Sequence, residues 1–344
     1  MNSLPAPIPL SGSVSLPPIP ETRETPAARR AFRVLKTVAL STLLTLVLLY
    51  AGLHAFIAWK LTHPDVAPLV SNPMSAKHLS YEDVAFASSD GKIRLSGWWI
   101  PADGSRQTVV LSHGYGTNRE ESWVPMYDLA DLLHGYGYNV LMFDYAFADA
   151  LHRAPATGGV LESKQLLGAI EYARGRGSAE VVVWGFSMGA GTALQAALQH
   201  APVDAMILDS TFVPTDDTLL YNLRMSHLEL PAYPTLPLVK WFLPLLAGSG
   251  LEQVPAARAL GTSFDFPIFV IHGTADAKAP LYLAEDVAKA QTDPRSELWV
   301  VKGAIHEMIF RTHRQEYVQR VTDFLGEVHA TAIAKSFEAP ALSI

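Results

Sequence analysis

The residues best placed to do chemistry lie in the run Val181-Val182-Val183-Trp184-Gly185-Phe186-Ser187-Met188-Gly189-Ala190-Gly191. An apolar strand here enters a helix through Gly-x-Ser-x-Gly, and a serine on so sharp a turn is lifted clear of its neighbours. Strand and helix pass so closely at such a turn that the side chains two before and two after the serine must be minimal. Gly185 and Gly189 meet that requirement, and Ala190 and Gly191 extend it. The five-residue pattern alone would fit a plain structural turn. The strand before it and the amphipathic helix after it make Ser187 the candidate nucleophile.

A serine hydroxyl is a poor nucleophile until a base takes its proton, and the base needs a carboxylate to fix its tautomer. On turns of this kind the chain order is serine, acid, histidine. Of twelve histidines, those after Ser187 are His200, His227, His272, His306, His313 and His329. His306 stands in a short loop, Lys302-Gly303-Ala304-Ile305-His306, just past the strand Leu298-Trp299-Val300-Val301. The others fall in a helix, in an insertion, at a strand end before the acid, or near the terminus. For the acid, Phe269-Val270-Ile271-His272-Gly273-Thr274-Ala275-Asp276 is a buried strand ending in a small turn that frees Asp276 to reach inward. Asp209, closing the strand Met206-Ile207-Leu208, competes with it.

Acyl transfer also needs two N–H donors aimed at the developing oxyanion. The backbone of Met188, at the positive end of its helix, is one candidate. Tyr115, in the glycine-flanked turn after Val109-Val110-Leu111-Ser112-His113-Gly114, offers its backbone as the other. His113 is expected to pack beneath this loop. His272 and Asp276 share an i, i+4 spacing but lie on a strand-to-loop turn without further ligands, so neither metal nor cofactor is expected.

Four motifs in order, His-Gly-Tyr-Gly, Gly-Phe-Ser-Met-Gly, His-Gly-Thr-Ala-Asp and Gly-Ala-Ile-His, make residues 80–328 resemble the α/β-hydrolase superfamily. Within it the likeness is to membrane-anchored members grouped with serine aminopeptidase-like and α/β-hydrolase domain-containing lipid hydrolases. The resemblance implies Ser187, Asp276 and His306 as triad, with Tyr115 and Met188 as oxyanion hole. One departure is visible: Phe143-Asp144-Tyr145 continues Ala146-Phe147-Ala148-Asp149, where relatives usually carry Arg-Gly, which leaves the shape of the loop over 144–158 open.

To hold these residues, the chain from residue 80 alternates strand and helix, the pattern of an α/β fold. Strands are expected at 81–87, 92–100, 107–112, 139–143, 180–185, 205–209, 267–272 and 297–301, giving a mostly parallel eight-stranded sheet. Helices near 122–135, 160–175, 188–200, 281–291 and 306–328 cover both faces. Residues 213–265 are far longer than a βα connection needs and read as an inserted lid. Its apolar side chains, Leu219, Leu243 and Trp241 among them, suggest an acyl pocket or a surface resting on a bilayer.

Ahead of this domain, residues 1–36 are expected to be a disordered tail rich in proline and serine. The 23 uncharged residues 37–59 span roughly 34 Å as a helix, enough to cross a membrane, with Trp59 at one edge. Arg23, Arg29, Arg30, Arg33 and Lys36 precede this span while only Lys60 and Lys77 follow it closely, which places the N-terminus in the cytoplasm and the domain on the periplasmic or extracellular side. Residues 60–79 read as a linker and 329–344 as a C-terminal tail.

Composition sets outer bounds. Apolar residues make up 49% of the 344 and charged ones 17%, an apolar excess that the span accounts for. A net charge of −7, with no Lys/Arg cluster following a helix face, gives no electrostatic footprint for nucleic acid, and that partner class is set aside. With no cysteine, thiol chemistry and disulfides are excluded, and a serine at position 187 excludes the dehalogenase chemistry of the same fold. The reading is therefore a serine hydrolase of an apolar or lipid-like ester, with thioester and amide also open. A serine peptidase or aminopeptidase, using Asp216, Asp217, Glu229 or Glu252 to hold a terminal amine, is the alternative within enzymes. A non-catalytic, hydrolase-shaped membrane binding protein is the alternative outside them.

Overall fold

The computed structural model describes residues 25–149, 153–225 and 230–338. Two compact units divide between Ala51 and Gly52. The elements in chain order are α1 (Pro26–Thr62), α2 (Pro73–Lys77), β1 (Glu82–Ala87), β2 (Arg94–Ile100), β3 (Gln107–Ser112), α3 (Met126–Gly135) and β4 (Asn139–Phe143). Then follow α4 (Glu162–Gly175), β5 (Glu180–Phe186), α5 (Met188–Ala197), β6 (Ala205–Asp209), α6 (Asp216–Met225), α7 (Ala232–Ala247) and α8 (Ala256–Gly261). The chain continues through β7 (Ile268–Gly273), α9 (Tyr282–Ala290), β8 (Glu297–Val301), α10 (Ile309–Thr312) and α11 (Arg314–Glu338).

All eight strands form one sheet in the order β1-β2-β4-β3-β5-β6-β7-β8. β1 and β2 run antiparallel to their neighbours, and β3 to β8 are parallel. This is the expected mostly parallel α/β sheet. The middles of its central strands are continuous apolar runs because both faces are covered, and the two-residue period of a strand divides them between two cores. In β5, Val181 and Val183 join the core under α4, α5 and α9. Val182, Trp184 and Phe186 join the core under α3 and α11. Burying each of these side chains contributes about 1.5–3 kcal/mol. The consequence for function is rigidity beneath the carboxyl ends of β5, β6 and β7.

Several boundaries differ from the sequence expectation. α1 begins at Pro26, inside the stretch expected to be a tail, because Thr25 caps it: its Oγ1 accepts the Ala28 N–H at 3.3 Å, and proline suits the first helical position. The expected linker holds α2, capped by Asn72. One helix expected over 306–328 is two, α10 and α11, and the second runs on through the expected C-terminal tail to Glu338. Residues 1–24 and 339–344 lie outside the described residues.

α1 contains an apolar window of mean hydropathy 1.9 with none of it buried, so this helix is long and apolar enough to cross a membrane. Its last turns are different in character. His54 and Ala58 are fully buried, and Ala58 packs with Val239 and Leu243 of α7. His54 Nε2 lies 3.3 Å from Thr235 Oγ1. Between β6 and β7 the chain inserts α6, α7 and α8, with Pro237 and Pro244 inside α7.

Candidate active site

Ser187 sits between β5 and α5 with φ 50° and ψ −116°, a left-handed conformation that a residue with a Cβ adopts only under constraint. The constraint is visible on both sides. A Cβ at Gly189 would fall 2.1 Å from Ser112 O, and one at Gly185 would fall 2.6 Å from Ala190 Cα. Ser187 N–H donates to Asp209 O at 2.9 Å, and Ser187 O accepts from Phe212 N–H at 3.1 Å. The turn is thereby pinned to the next strand.

Three of the expected residues meet there. His306 Nε2 lies 2.8 Å from Ser187 Oγ, and His306 Nδ1 lies 2.6 Å from Asp276 Oδ2. Asp276 Oδ1 accepts the N–H groups of Lys278 and Ala279, each at 2.8 Å, which fixes its carboxylate. Burial acts to raise the Asp276 pKa, but its bond to His306 and these N–H donors outweigh it and hold it below the usual carboxylate range. Burial likewise acts to lower that of His306, and the Asp276 bond and the neighbouring Glu307 charge raise it overall. An imidazole so held can take a proton from the serine and stabilise as imidazolium.

Met188 opens α5, so its N–H is one of the first-turn donors without an intrahelical acceptor. Tyr115 stands in the loop after β3, and both line the same cavity as Ser187 and His306. A buried ion pair holds that loop: Arg119 Nη2 lies 2.8 Å from Asp144 Oδ2, and Arg119 N–H donates to Asp144 Oδ1 at 2.7 Å. Tyr115 adds a tether of its own, its hydroxyl donating to Lys60 O of α1 at 2.7 Å. His113 lies beneath the loop as expected, its Nδ1 2.9 Å from Gly114 O and its Nε2 accepting from Tyr145 N–H at 3.1 Å. Complete burial pushes the His113 pKa down to about 4, so it is neutral.

Sequence reasoning missed a second layer. Asp209, the competing acid, is bonded instead by Tyr317 Oη–H at 2.7 Å and Ser210 Oγ–H at 2.8 Å. Glu307, next to His306, accepts from Trp123 Nε1–H at 2.6 Å. Glu121 accepts from Gly114 N–H at 3.3 Å. Nothing in the local pattern marks Glu121, because Glu120-Glu121 reads as an ordinary solvated pair.

A profile of the alpha/beta hydrolase fold matches residues 107–243. An uncharacterized protein of Mycobacterium tuberculosis is 30% identical over 229 residues, 65% of this chain and 72% of that protein. The chain belongs to the α/β-hydrolase family. Lysophosphatidylserine lipase ABHD12 of Mus musculus is 26% identical over 222 residues, covering 62% of this chain and 52% of the lipase. Among solved structures, the Pyrococcus furiosus esterase Pf2001 matches with a TM-score of 0.62 at 26% identity, over 78% of this chain and 98% of the esterase.

The cavity of this α/β-hydrolase holds about 200 Å³ and opens on Ser187 and His306. Leu219 and Leu243 of the insertion line it, as does Leu251 beyond α7, and so do Leu61 and Thr62 of α1. Trp241, expected among the pocket side chains, is 62% exposed and stacks edge-on against Phe242 instead. Two acids considered for an amine site are already matched: Asp216 and Glu252 each lie 3.2 Å from Lys240 Nζ. Asp217 is exposed on the first turn of α6, and Glu229 lies outside the described residues. Residues 146–148 of the departing loop form a short 3₁₀ turn buried beside Tyr145, and 150–152 lie outside the described residues. Among the described residues no three His, Asp or Glu side chains gather as metal ligands.

Proposed function

We propose that this α/β-hydrolase is a membrane-anchored serine esterase acting on apolar or lipid-like acyl esters. The observation that carries the reading is the hydrogen-bonded chain Ser187–His306–Asp276 opening on an apolar cavity. Ser187 Oγ attacks the carbonyl carbon as its proton passes to His306 Nε2, and Asp276 stabilises the imidazolium through Nδ1. Charge developing on the carbonyl oxygen is received by the Tyr115 and Met188 N–H groups. The tetrahedral intermediate collapses by breaking the ester C–O bond, with His306 returning the proton to the departing alcohol. Water then repeats the sequence on the acyl-enzyme and releases the acid.

The lipid-like substrate class is supported by Leu61 and Thr62, which bring the last turn of an apolar 37-residue helix to the cavity wall. A helix of that kind keeps the site beside the bilayer that would contain such esters. The names of Pf2001 and of the mouse lipase point to the same chemistry. The excess of Arg and Lys before the span over that after it supports a cytoplasmic N-terminus and a catalytic domain outside. A peptidase is less well supported, since Lys240 already occupies Asp216 and Glu252. A panel of p-nitrophenyl esters set against aminoacyl-nitroanilides tests the reading. Ester turnover rising with acyl length supports it, and faster nitroanilide turnover rejects it.

A further inference from the structure

Beside the proposed triad lie two carboxyl groups that the esterase chemistry does not use. Glu121 is fully buried and Glu307 is 4% exposed. Both have left-handed backbones, φ 36° and φ 58°, conformations that favour glycine and persist only when their surroundings fix them. The two side chains converge on one point: a Cβ at Gly114 would lie 2.7 Å from Glu121 Oε1 and 2.9 Å from Glu307 Oε1. Among the described residues no N–H or O–H donates to Glu307 Oε1. Two carboxylates cannot bond to each other without a proton between them, and a buried acceptor left unmatched is costly.

We propose that Glu121 and Glu307 share one proton and act as a positioning pair that ties the Gly114–Tyr115 loop to the His306 loop and sets one negative charge beside the imidazole. The proposal rests on His306 as base. Glu121 faces the loop, accepting from Gly114 N–H. Glu307 faces the histidine, its Oε2 3.7 Å from His306 Nε2, the atom that receives the serine proton. The groups around the pair fix which member is charged. Burial and the Glu307 charge push Glu121 well above the usual carboxylate range, and Asp209 at the end of β6 adds to this. Burial raises Glu307 as well and Asp276 adds to that, while His306, Trp123 and Lys278 draw it back. Ser210 Oγ accepts the Glu307 N–H at 3.0 Å. Burial raises both carboxyls, so the pair keeps one proton. Glu307 Oε2 already accepts from Trp123 Nε1–H and its Oε1 lacks a donor, so a proton on Glu121 completes Glu307 and leaves the charge on the side of the imidazole.

The test is the pH profile of kcat/KM for a short ester in the full chain, run with fluorophosphonate labelling of Ser187. Activity requires neutral His306, so it rises with pH through the histidine pKa, and a nearby negative charge holds that rise at higher pH. Glu307→Gln should move the acid limb down by roughly half a unit to one unit and lower kcat about tenfold or more, with KM little changed. Glu121→Leu leaves Gly114 N–H and Glu307 Oε1 unmatched and should lower kcat by about a hundredfold. Glu121→Gln, whose amide stands in for the shared proton, should recover most of that loss. An unmoved acid limb in Glu307→Gln, with wild type still labelled, overturns the pair alone. Equal losses in Glu121→Gln and Glu121→Leu also overturn it. A wild type that neither labels nor turns over esters overturns the esterase reading and the pair with it.

Discussion

The hydroxyl of Tyr115 donates to the carbonyl oxygen of Lys60 at 2.7 Å, so the residue proposed to supply an oxyanion N–H is fastened by its side chain to the last turns of α1. The end of a helix leaves its final carbonyls without intrahelical partners, and Tyr115 satisfies one of them. Tyr115→Phe removes one hydrogen bond worth about 1 kcal/mol and keeps the backbone N–H. The melting temperature in detergent should fall by roughly 2–4 °C, and ester turnover should fall several-fold with Ser187 still labelled. Unchanged stability and rate would show that the tether is idle.

Because Leu61 lines the cavity, enlarging it in the full chain should shorten the acyl chain that fits. Wild-type kcat/KM should rise from acetate through at least hexanoate, each buried methylene contributing about 0.8 kcal/mol until the cavity fills. Leu61→Trp should bring the maximum back to shorter esters while acetate turnover is reduced much less. Trp241→Ala should keep the wild-type profile, since that ring lies on the surface. A wild-type profile that peaks at acetate and falls steadily would reject the apolar pocket.

The competing acids give opposite signatures. Burial pushes Asp209 up to about 7, with bonds from Tyr317 and Ser210 opposing it. Between the usual carboxylate range and that value, the folded protein keeps a proton that the unfolded chain has lost, so stability falls as pH rises through this window. Asp209→Asn should flatten that fall, measured as melting temperature from pH 4 to pH 8, and should slow turnover at least tenfold less than Asp276→Asn. If Asp209→Asn is the more damaging to turnover, Asp209 is the acid.

Much of this site was legible because its signals are local. The apolar run of β5, Gly185 and Gly189 around Ser187, and the short turns before Asp276 and His306 each announce a strand ending at the same sheet edge. Glu121 and Glu307 were not legible because their burial comes from two loops meeting across the fold, which adjacent residues do not record. The start of α1 was marked by Thr25 and Pro26 but masked by the proline-rich stretch before it. The run of α11 to Glu338 could have been read from Ala330, Ala332 and Ala334, good helix formers with no glycine or proline to stop them until Pro340. Trp241 was misassigned because α7 is apolar on both faces: Thr235, Val239 and Leu243 turn inward at regular helical spacing while Trp241 and Leu245 are exposed, and composition alone does not separate the two.

The excess of positive charge before the span predicts an N-terminus in the cytoplasm. A reporter active only outside the cytoplasm, fused at the C-terminus, should be active, and a cytoplasm-only reporter should be silent. The opposite pair of results would reverse the orientation, and release of the protein without detergent would argue for cleavage after the span.

The central claim is that Ser187 forms the acyl-enzyme, with His306 and Asp276 activating it. A fluorophosphonate probe should modify the full chain once, with mass spectrometry placing the adduct on the peptide containing Ser187. Ser187→Ala should abolish labelling and lower ester turnover by several orders of magnitude, with His306→Ala comparably severe. An adduct on another residue, or equal labelling of Ser187→Ala, would contradict the account.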